Sequence, residues 1–188
     1  MVKIEYRPKR YDNHQHPWIP FGAPNKEEYD RWSPEVCGIC CLKMVGDSYG
    51  LTNSVSIYQL ARQCQKMGGY KESEDGNILG VFHQPLLELA ESYGINGCIV
   101  RNLNLKKIKA ALKARRLIAL SIDKSKINPN LTGGHLILIH SYDPKAGCFL
   151  IHDPEPLLDK TGIDIKISPQ RLKEFSNNRG LVFWHEKK

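Results

Sequence analysis

One cysteine stands at the start of a predicted helix, where its thiol could act as a nucleophile. The segment 33–35, Ser-Pro-Glu, supplies an N-cap residue, a first-turn proline and an early carboxylate, and Cys37 follows it. The unbonded N–H groups of a first helical turn stabilise a thiolate, and Gly38 leaves the backbone beside the sulfur uncrowded. We therefore expect Cys37 to be a reactive thiol whose own N–H helps to hold a developing oxyanion.

A histidine and an aspartate flank two predicted strands farther along the chain. His135 follows two glycines and opens an apolar run, which places an imidazole at the mouth of a strand. Asp153 lies just past a second short strand. A thiol, an imidazole and a carboxylate can serve as nucleophile, base and group that orients the base, so Cys37, His135 and Asp153 could form a catalytic triad.

The relative position of His135 and Asp153 depends on a predicted β-hairpin. Strands at 135–142 and 148–152 are joined by Asp-Pro-Lys-Ala-Gly, whose proline and glycine are typical of a turn. If these strands pair antiparallel, the end of the second lies beside the start of the first. The hairpin therefore predicts that Asp153 reaches His135.

Helices dominate the first half of the sequence and strands the second. After Cys37, apolar residues recur at helical spacing until Gly50 interrupts the pattern. Spacing and turn residues further predict helices at 56–66, 85–93, 105–115 and 168–175 and strands at 98–100, 117–122 and 180–184. This order predicts the α+β class, with a helical part that carries Cys37 packed on a twisted antiparallel sheet.

The first 32 residues differ from the rest of the chain. Pro17, Pro20 and Pro24 stand among aromatic residues and indicate an extended arm that packs on a body. We therefore divide the chain into an N-terminal extension of residues 1–32 and one domain of residues 33–188. A chain of 188 residues can bury a core without disulfide staples.

Composition argues against several classes of protein. No stretch approaches the roughly 18 consecutive apolar residues of a membrane span, so we expect no membrane-embedded segment. The first ten residues lack the apolar core of a secretory signal, which predicts a cytoplasmic protein. The net charge of +7 is spread over separate basic clusters without interleaved aromatics, so we do not expect specific nucleic-acid binding.

The six cysteines are better explained as free thiols than as a disulfide framework. Cys37 and Cys40 also form the Cys-x-x-Cys pattern of thioredoxin-like redox proteins, but the preceding segment is polar and broken by proline where that fold needs a strand. A zinc site would need a second pair of ligand residues, whereas Cys64, Cys98 and Cys148 stand alone in the sequence. His140 lies inside a strand and His152 flanks Asp153, and we interpret both as residues without chemistry. We expect no metal and no cofactor.

Four short motifs resemble the double-glycine leader-peptidase branch of the papain-like cysteine peptidases. They are Cys-Gly-Ile-Cys-Cys-Leu-Lys-Met at 37–44, Gly-His at 134–135, His-Asp-Pro at 152–154 and Arg-Gly-Leu-Val at 179–182. The resemblance covers about residues 33–185. No transporter domain accompanies the motifs, so we expect a stand-alone domain of a bacteriocin-processing peptidase type.

The resemblance implies a papain-like fold and a role for each residue of the triad. In that family the first cysteine of the block is the nucleophile, the histidine is the base and the aspartate orients it. These roles fall on Cys37, His135 and Asp153 of this chain.

The family usually also places a glutamine six residues before the nucleophile as an oxyanion donor, and this chain departs from that pattern. Arg31 occupies the position here. Arg31, Trp32 and Ser33 are the candidates to donate in its place. The departure bears on rate and substrate more than on fold, since one lost donor costs about 2.7 to 4 kcal/mol of transition-state stabilisation.

The resulting expectation is a cysteine peptidase that acts on a peptide or protein through a Cys thioester. The same thioester could pass its acyl group to an amine in an acyltransferase, ligase or cyclase, because exclusion of water decides between hydrolysis and transfer. A third alternative is an inactive, peptide-binding copy of the fold. The sequence does not separate hydrolysis from transfer, and it predicts no oligomeric state.

Overall fold

The computed structural model of the chain describes residues 4–186. The chain divides into two compact units, of which the first ends at Ile95 and the second begins at Asn96. The first unit is mainly helical, and the second is built on an antiparallel sheet. The α+β class is therefore confirmed. The division into an extension of residues 1–32 and a domain of residues 33–188 stays a prediction.

The first unit combines helices with a short hairpin. In chain order its elements are α1 (Trp18–Phe21), α2 (Lys26–Trp32), a 3-10 turn (Ser33–Glu35), α3 (Cys37–Ser48), α4 (Ile57–Lys66), β1 (Tyr70–Glu72), β2 (Ile78–Gly80) and α5 (His83–Ser92). The predicted helices at 56–66 and 85–93 are confirmed as α4 and α5. α4 begins with a capping box, because Ser56 accepts from the Gln59 N–H and the Gln59 side chain accepts from the Ser56 N–H.

Helix α3 begins later than the sequence indicates. The predicted cap residue, Ser33, belongs to the 3-10 turn, and α3 starts at Cys37 with Val36 at its N-cap position and no side-chain cap. The helix ends at Ser48, and Gly50 then adopts a positive φ of 77°, as a residue without Cβ can do at little cost. Cys37 is therefore the first residue of a twelve-residue helix.

A buried ionic network holds the C-terminal end of α3. The carboxylate of Asp47, with only 5% of its side chain exposed, accepts from Arg7 Nε at 2.9 Å and from Thr52 Oγ1 at 2.8 Å, and it pairs with Lys43 Nζ. Lys43 Nζ also donates to the Thr52 carbonyl oxygen at 2.9 Å. The network ties the N-terminal segment to the helix that carries Cys37.

The N-terminal segment is less extended than its prolines indicate. It contains α1 and α2, so the prediction of an extended arm is wrong over these residues. Asn25 caps α2 by accepting from the Glu28 N–H, and Glu27 and Glu28 lie in the first turn, where the helix dipole favours negative charge. Phe21 is fully buried against Tyr29, with ring centroids 5.2 Å apart.

The second unit contains a six-stranded sheet with the order β3-β8-β4-β5-β6-β7, and every neighbouring pair is antiparallel. Its elements are β3 (Asn96–Val100), α6 (Leu105–Lys113), β4 (Leu117–Asp123), a 3-10 turn (Lys124–Lys126), β5 (Gly134–Asp143), β6 (Cys148–His152), β7 (Ile165–Ile167), α7 (Pro169–Phe175) and β8 (Ser176–Trp184). Helices 105–115 and 168–175 and the predicted strands are confirmed within one or a few residues. Strand β7 was not predicted.

The predicted hairpin is present, and it has a bulge. β5 pairs antiparallel with β6, and the register shifts between Ile139 and Ser141, so His140 is the extra residue. Branched aliphatic and aromatic side chains, such as Ile137, Phe149 and Ile151, fill the core under this sheet. No helix within residues 4–186 is long and apolar enough to cross a bilayer.

We expect Asp47→Asn to destabilise the protein by about 3–5 kcal/mol, because it leaves the buried Lys43 ammonium without its anionic partner. The measurement is urea unfolding followed by circular dichroism. Asp30→Asn is the matched control, since it removes an exposed i,i+4 pair with Lys26 and should cost under about 1 kcal/mol. Equal losses in the two variants would contradict a special role for the Asp47 network.

Candidate active site

Helix α3 presents one thiol at its first turn and buries two others. Cys37 is partly exposed, whereas Cys40 and Cys41 are fully buried. Cys37 is the first residue of this twelve-residue helix, where the helix dipole and the unbonded N–H groups favour negative charge. All six cysteines are free thiols, as the sequence predicts.

Burial makes two other thiols of the first unit poor nucleophiles. Desolvation raises the pKa of the Cys40 thiol well above its usual range, and negative charge on Cys37 raises it further. Desolvation, followed by the charge of Glu88, raises the pKa of Cys64 to about 12. The reactive species is the thiolate, so these shifts leave Cys40 and Cys64 unreactive near neutral pH.

Two residues that the sequence did not single out lie at the start of α3. Lys9 is 4% exposed, and its ammonium donates to the Pro34 carbonyl oxygen at 2.8 Å. The buried Tyr70 hydroxyl donates to the Glu35 carbonyl oxygen at 3.3 Å. The Lys9 ammonium and the Tyr70 hydroxyl therefore hold two backbone carbonyl groups of the 3-10 turn that precedes Cys37. Both partners are distant in sequence, so periodicity carries no signal of them.

His135 and Asp153 lie together in the second unit. Asp153 Oδ1 is 2.6 Å from His135 Nε2, and neither side chain is exposed. His135 is the second residue of β5, and Asp153 directly follows β6, so the antiparallel hairpin brings them together. A carboxylate only accepts, so His135 Nε2 carries the proton and Nδ1 is the basic nitrogen of the neutral ring.

The buried carboxylate of Asp153 also organises the loop that follows it. Oδ2 accepts from the N–H groups of Leu157 at 3.0 Å and Leu158 at 3.3 Å, and Oδ1 accepts from that of Glu155 at 3.2 Å. The Asp153 N–H donates to the Gly162 carbonyl oxygen at 2.8 Å. These bonds hold the carboxylate in one orientation toward His135.

A second carboxylate faces the other nitrogen of His135. Glu155 Oε2 lies 3.8 Å from His135 Nδ1 and 2.8 Å from Lys124 Nζ. Lys124 balances part of the negative charge that Glu155 presents to this nitrogen. Neither residue was predicted as part of the site. The position of Glu155 two residues after Asp153, in the loop that follows β6, was the available signal.

The three oxyanion candidates differ in their environment. The Arg31 guanidinium pairs with Glu72 and lies 3.7 Å from Glu28. By contrast, the Trp32 indole nitrogen and the Ser33 hydroxyl are buried without a hydrogen-bond partner among the described residues. A buried donor without a partner is costly, and sites that bind a transient anion often contain one. The Arg31 guanidinium is thus already paired, whereas the Trp32 indole N–H and the Ser33 hydroxyl can donate to a new partner.

The Peptidase C39 like family matches residues 14–178. A comparison with curated protein sequences finds no match.

Solved structures show the same fold. A protein from Bacillus anthracis described as a C39-like peptidase is 16% identical with a TM-score of 0.59, and the match covers 82% of this chain and 90% of that one. The peptidase domain of Streptococcus ComA, a bi-functional ABC transporter involved in quorum sensing, is 16% identical with a TM-score of 0.54 and coverage of 81% and 93%. The C39-like domain of a toxin secretion ATP-binding protein from Vibrio parahaemolyticus is 18% identical with a TM-score of 0.50 and coverage of 81% and 98%.

These likenesses confirm the papain-like fold that the motifs predict. The family match extends over most of the sequence, from the segment before α3 to the last strand of the sheet. The chain belongs to the C39-like peptidase family.

Proposed function

We propose that the chain is a cysteine peptidase that cleaves a peptide amide through a thioester on Cys37. The observation that carries the proposal is the buried pair of His135 Nε2 and Asp153 Oδ1, 2.6 Å apart, in a chain whose α3 begins with a partly exposed thiol. A buried carboxylate that fixes the tautomer of an imidazole is the orienting half of a triad. Membership of a peptidase family supports the same assignment.

In the proposed mechanism the Cys37 thiolate attacks the carbonyl carbon of the scissile amide. His135 in its imidazolium form donates a proton from Nδ1 to the leaving amine, and the C–N bond breaks to give a thioester. Water then attacks the thioester while the neutral His135 takes its proton, and the C–S bond breaks, which releases the acid and restores the Cys37 thiolate and the His135 imidazolium. Asp153 keeps the Nε2 proton in place throughout and stabilises the imidazolium.

The Cys37 N–H and either Ser33 or Trp32 are proposed to hold the oxyanion. Both side chains are buried donors close in sequence to Cys37, and neither has a hydrogen-bond partner among the described residues. Arg31 is the weaker candidate because Glu72 already holds its guanidinium. The oxyanion hole would then differ from the usual glutamine-based arrangement in its donor group.

The nucleophile assignment predicts which thiol reacts first. Brief treatment with iodoacetamide at pH 8, followed by peptide mapping, should find Cys37 alkylated before Cys40 and Cys64 in the native protein. The pKa of Cys64, raised from 9.0 to about 12, leaves about a thousandfold less thiolate at this pH than an ordinary cysteine has. In urea the difference should disappear. Faster labelling of Cys40 or Cys64 in the native state would refute the assignment.

The function is tested by intact mass spectrometry with a panel of peptides. Wild-type protein should acquire the acyl part of a peptide and release it to water, and Cys37→Ala should acquire none. Asp153→Asn should slow acylation on the order of 10⁴-fold. The expected cause is a wrong tautomer of the imidazole. If the new amide keeps its oxygen toward the Leu157 N–H, its NH₂ group faces His135 Nε2, and the ring proton of His135 moves from Nε2 to Nδ1.

A double variant provides the control for this triad. Groups that act as a unit lose most of their value when one is removed, so His135→Ala/Asp153→Asn should match His135→Ala. If the rate losses of the two single variants multiply in the double variant, Asp153 does not act through His135 and only shapes its loop. Release of the adduct to an added amine in preference to water would instead identify an acyltransferase, and the lack of any adduct would indicate an inactive, peptide-binding copy.

The oxyanion proposal is tested by steady-state kinetics on a cleaved peptide. Either Ser33→Ala or Trp32→Phe should lower kcat by about 10²- to 10³-fold with little change in KM, because a lost donor affects mainly the transition state. Ser48→Ala, at the far end of α3, is the matched control and should leave kcat unchanged. Normal rates in both Ser33→Ala and Trp32→Phe would show that neither side chain donates.

A further inference from the structure

Three potential metal ligands meet on neighbouring strands of the second unit, outside the proposed catalytic pair. They are His140 on β5, His152 at the end of β6 and Asp164 directly before β7. One ligand atom from each lies within 4.8 Å of the other two. The sequence alone predicts no chemistry for either histidine.

Backbone irregularities aim two of these side chains at the third. His140 is the extra residue of the β5 bulge, and its ring lies against that of His152 with centroids 4.4 Å apart. Bulges often redirect a side chain at a functional site. Asp164 adopts a positive φ of 48°, which is uncommon outside glycine, and its Oδ1 lies 3.0 Å from His140 Nε2.

The lone pair of His152 Nδ1 also faces Asp164. His152 Nδ1 accepts the Asp164 N–H at 3.1 Å, which shows that Nδ1 carries no proton, and it lies 3.9 Å from Asp164 Oδ1. A cation bound here would take the place of that amide contact. His152 is 1% exposed and the side chain of His140 11%, whereas 63% of the Asp164 side chain is exposed and leaves a path for entry.

We infer that His140, His152 and Asp164 form a binding site for a divalent transition-metal ion of the zinc class. Imidazole nitrogen and carboxylate oxygen bind such ions at about 2.0–2.2 Å, so the ligand atoms must approach one another by about 1.5 Å at most. Three protein ligands leave a fourth position for water.

The site would join the two ends of the loop that follows β6. His152 directly precedes Asp153, and Asp164 closes the loop at the start of β7, which pairs with β6. A metal ion would therefore fix the segment whose amides surround the Asp153 carboxylate. The inference is independent of the proposed peptidase activity, because it rests on three residues that take no part in that mechanism.

The test is titration of the chelator-treated full chain with Zn²⁺ and with Co²⁺. Zn²⁺ should raise the melting temperature of the wild-type protein, and Co²⁺ should give visible absorption bands without a thiolate charge-transfer band. Asp164→Asn and His140→Gln should each weaken Zn²⁺ binding by at least about tenfold, since even residues that only support a ligand cost that much. Asp75→Asn and His14→Gln, at exposed positions of the first unit, should bind as wild type does.

Asp164→Asn keeps the inference falsifiable if His140→Gln fails to fold, because asparagine tolerates the same positive φ. Wild-type affinity in a folded Asp164→Asn variant would overturn the inference. So would the lack of any Zn²⁺ binding by the wild-type chain, or a cobalt spectrum with a thiolate band that vanishes in Cys37→Ser, which would place the ion on the nucleophile.

Discussion

The burial of a single carboxylate constrains the second unit more than any other interaction. Asp153 has no exposed surface, and an ionised carboxylate in that position requires donors on both oxygens. One donor is His135, and the others are the amides of the loop that follows β6. The folding of that loop and the orientation of the imidazole are thus two results of one requirement.

Where a contact follows from local pairing, the sequence was sufficient to predict it. The His135–Asp153 contact depends on a hairpin whose turn residues and strand lengths are visible in one stretch of chain. The start of α3 at Cys37 was approximately right for the same reason, although the turn before it is a 3-10 helix that Ser33 does not cap. The α+β order followed from the spacing of apolar residues, which changes along the chain from that of helices to that of strands.

Contacts between distant segments were not predictable in this way. Lys9 meets the Pro34 carbonyl and Tyr70 meets the Glu35 carbonyl, and a single sequence has no periodicity that links such positions. α1 and α2 were not predicted because the prolines of this segment favour an extended chain, although Asn25 caps α2. His140 lies inside a strand as predicted, but the direction of its side chain was not predictable, for a different physical reason. A one-residue bulge breaks the simple alternation of a strand, so its side-chain direction cannot be counted from its neighbours.

The position of Arg31 shows how far family membership constrains chemistry. The solved relatives are only 16–18% identical, so the fold is shared while individual side chains are free to change. At Arg31 the side chain forms an ion pair with Glu72, a different task from donating to an oxyanion. In the proposed mechanism, a thiolate at a helix start and an imidazole held by a carboxylate would still form and resolve a thioester without that donor. The loss of one donor slows such a site by about 10²- to 10³-fold without abolishing it, so the fold constrains the mechanism more tightly than the rate.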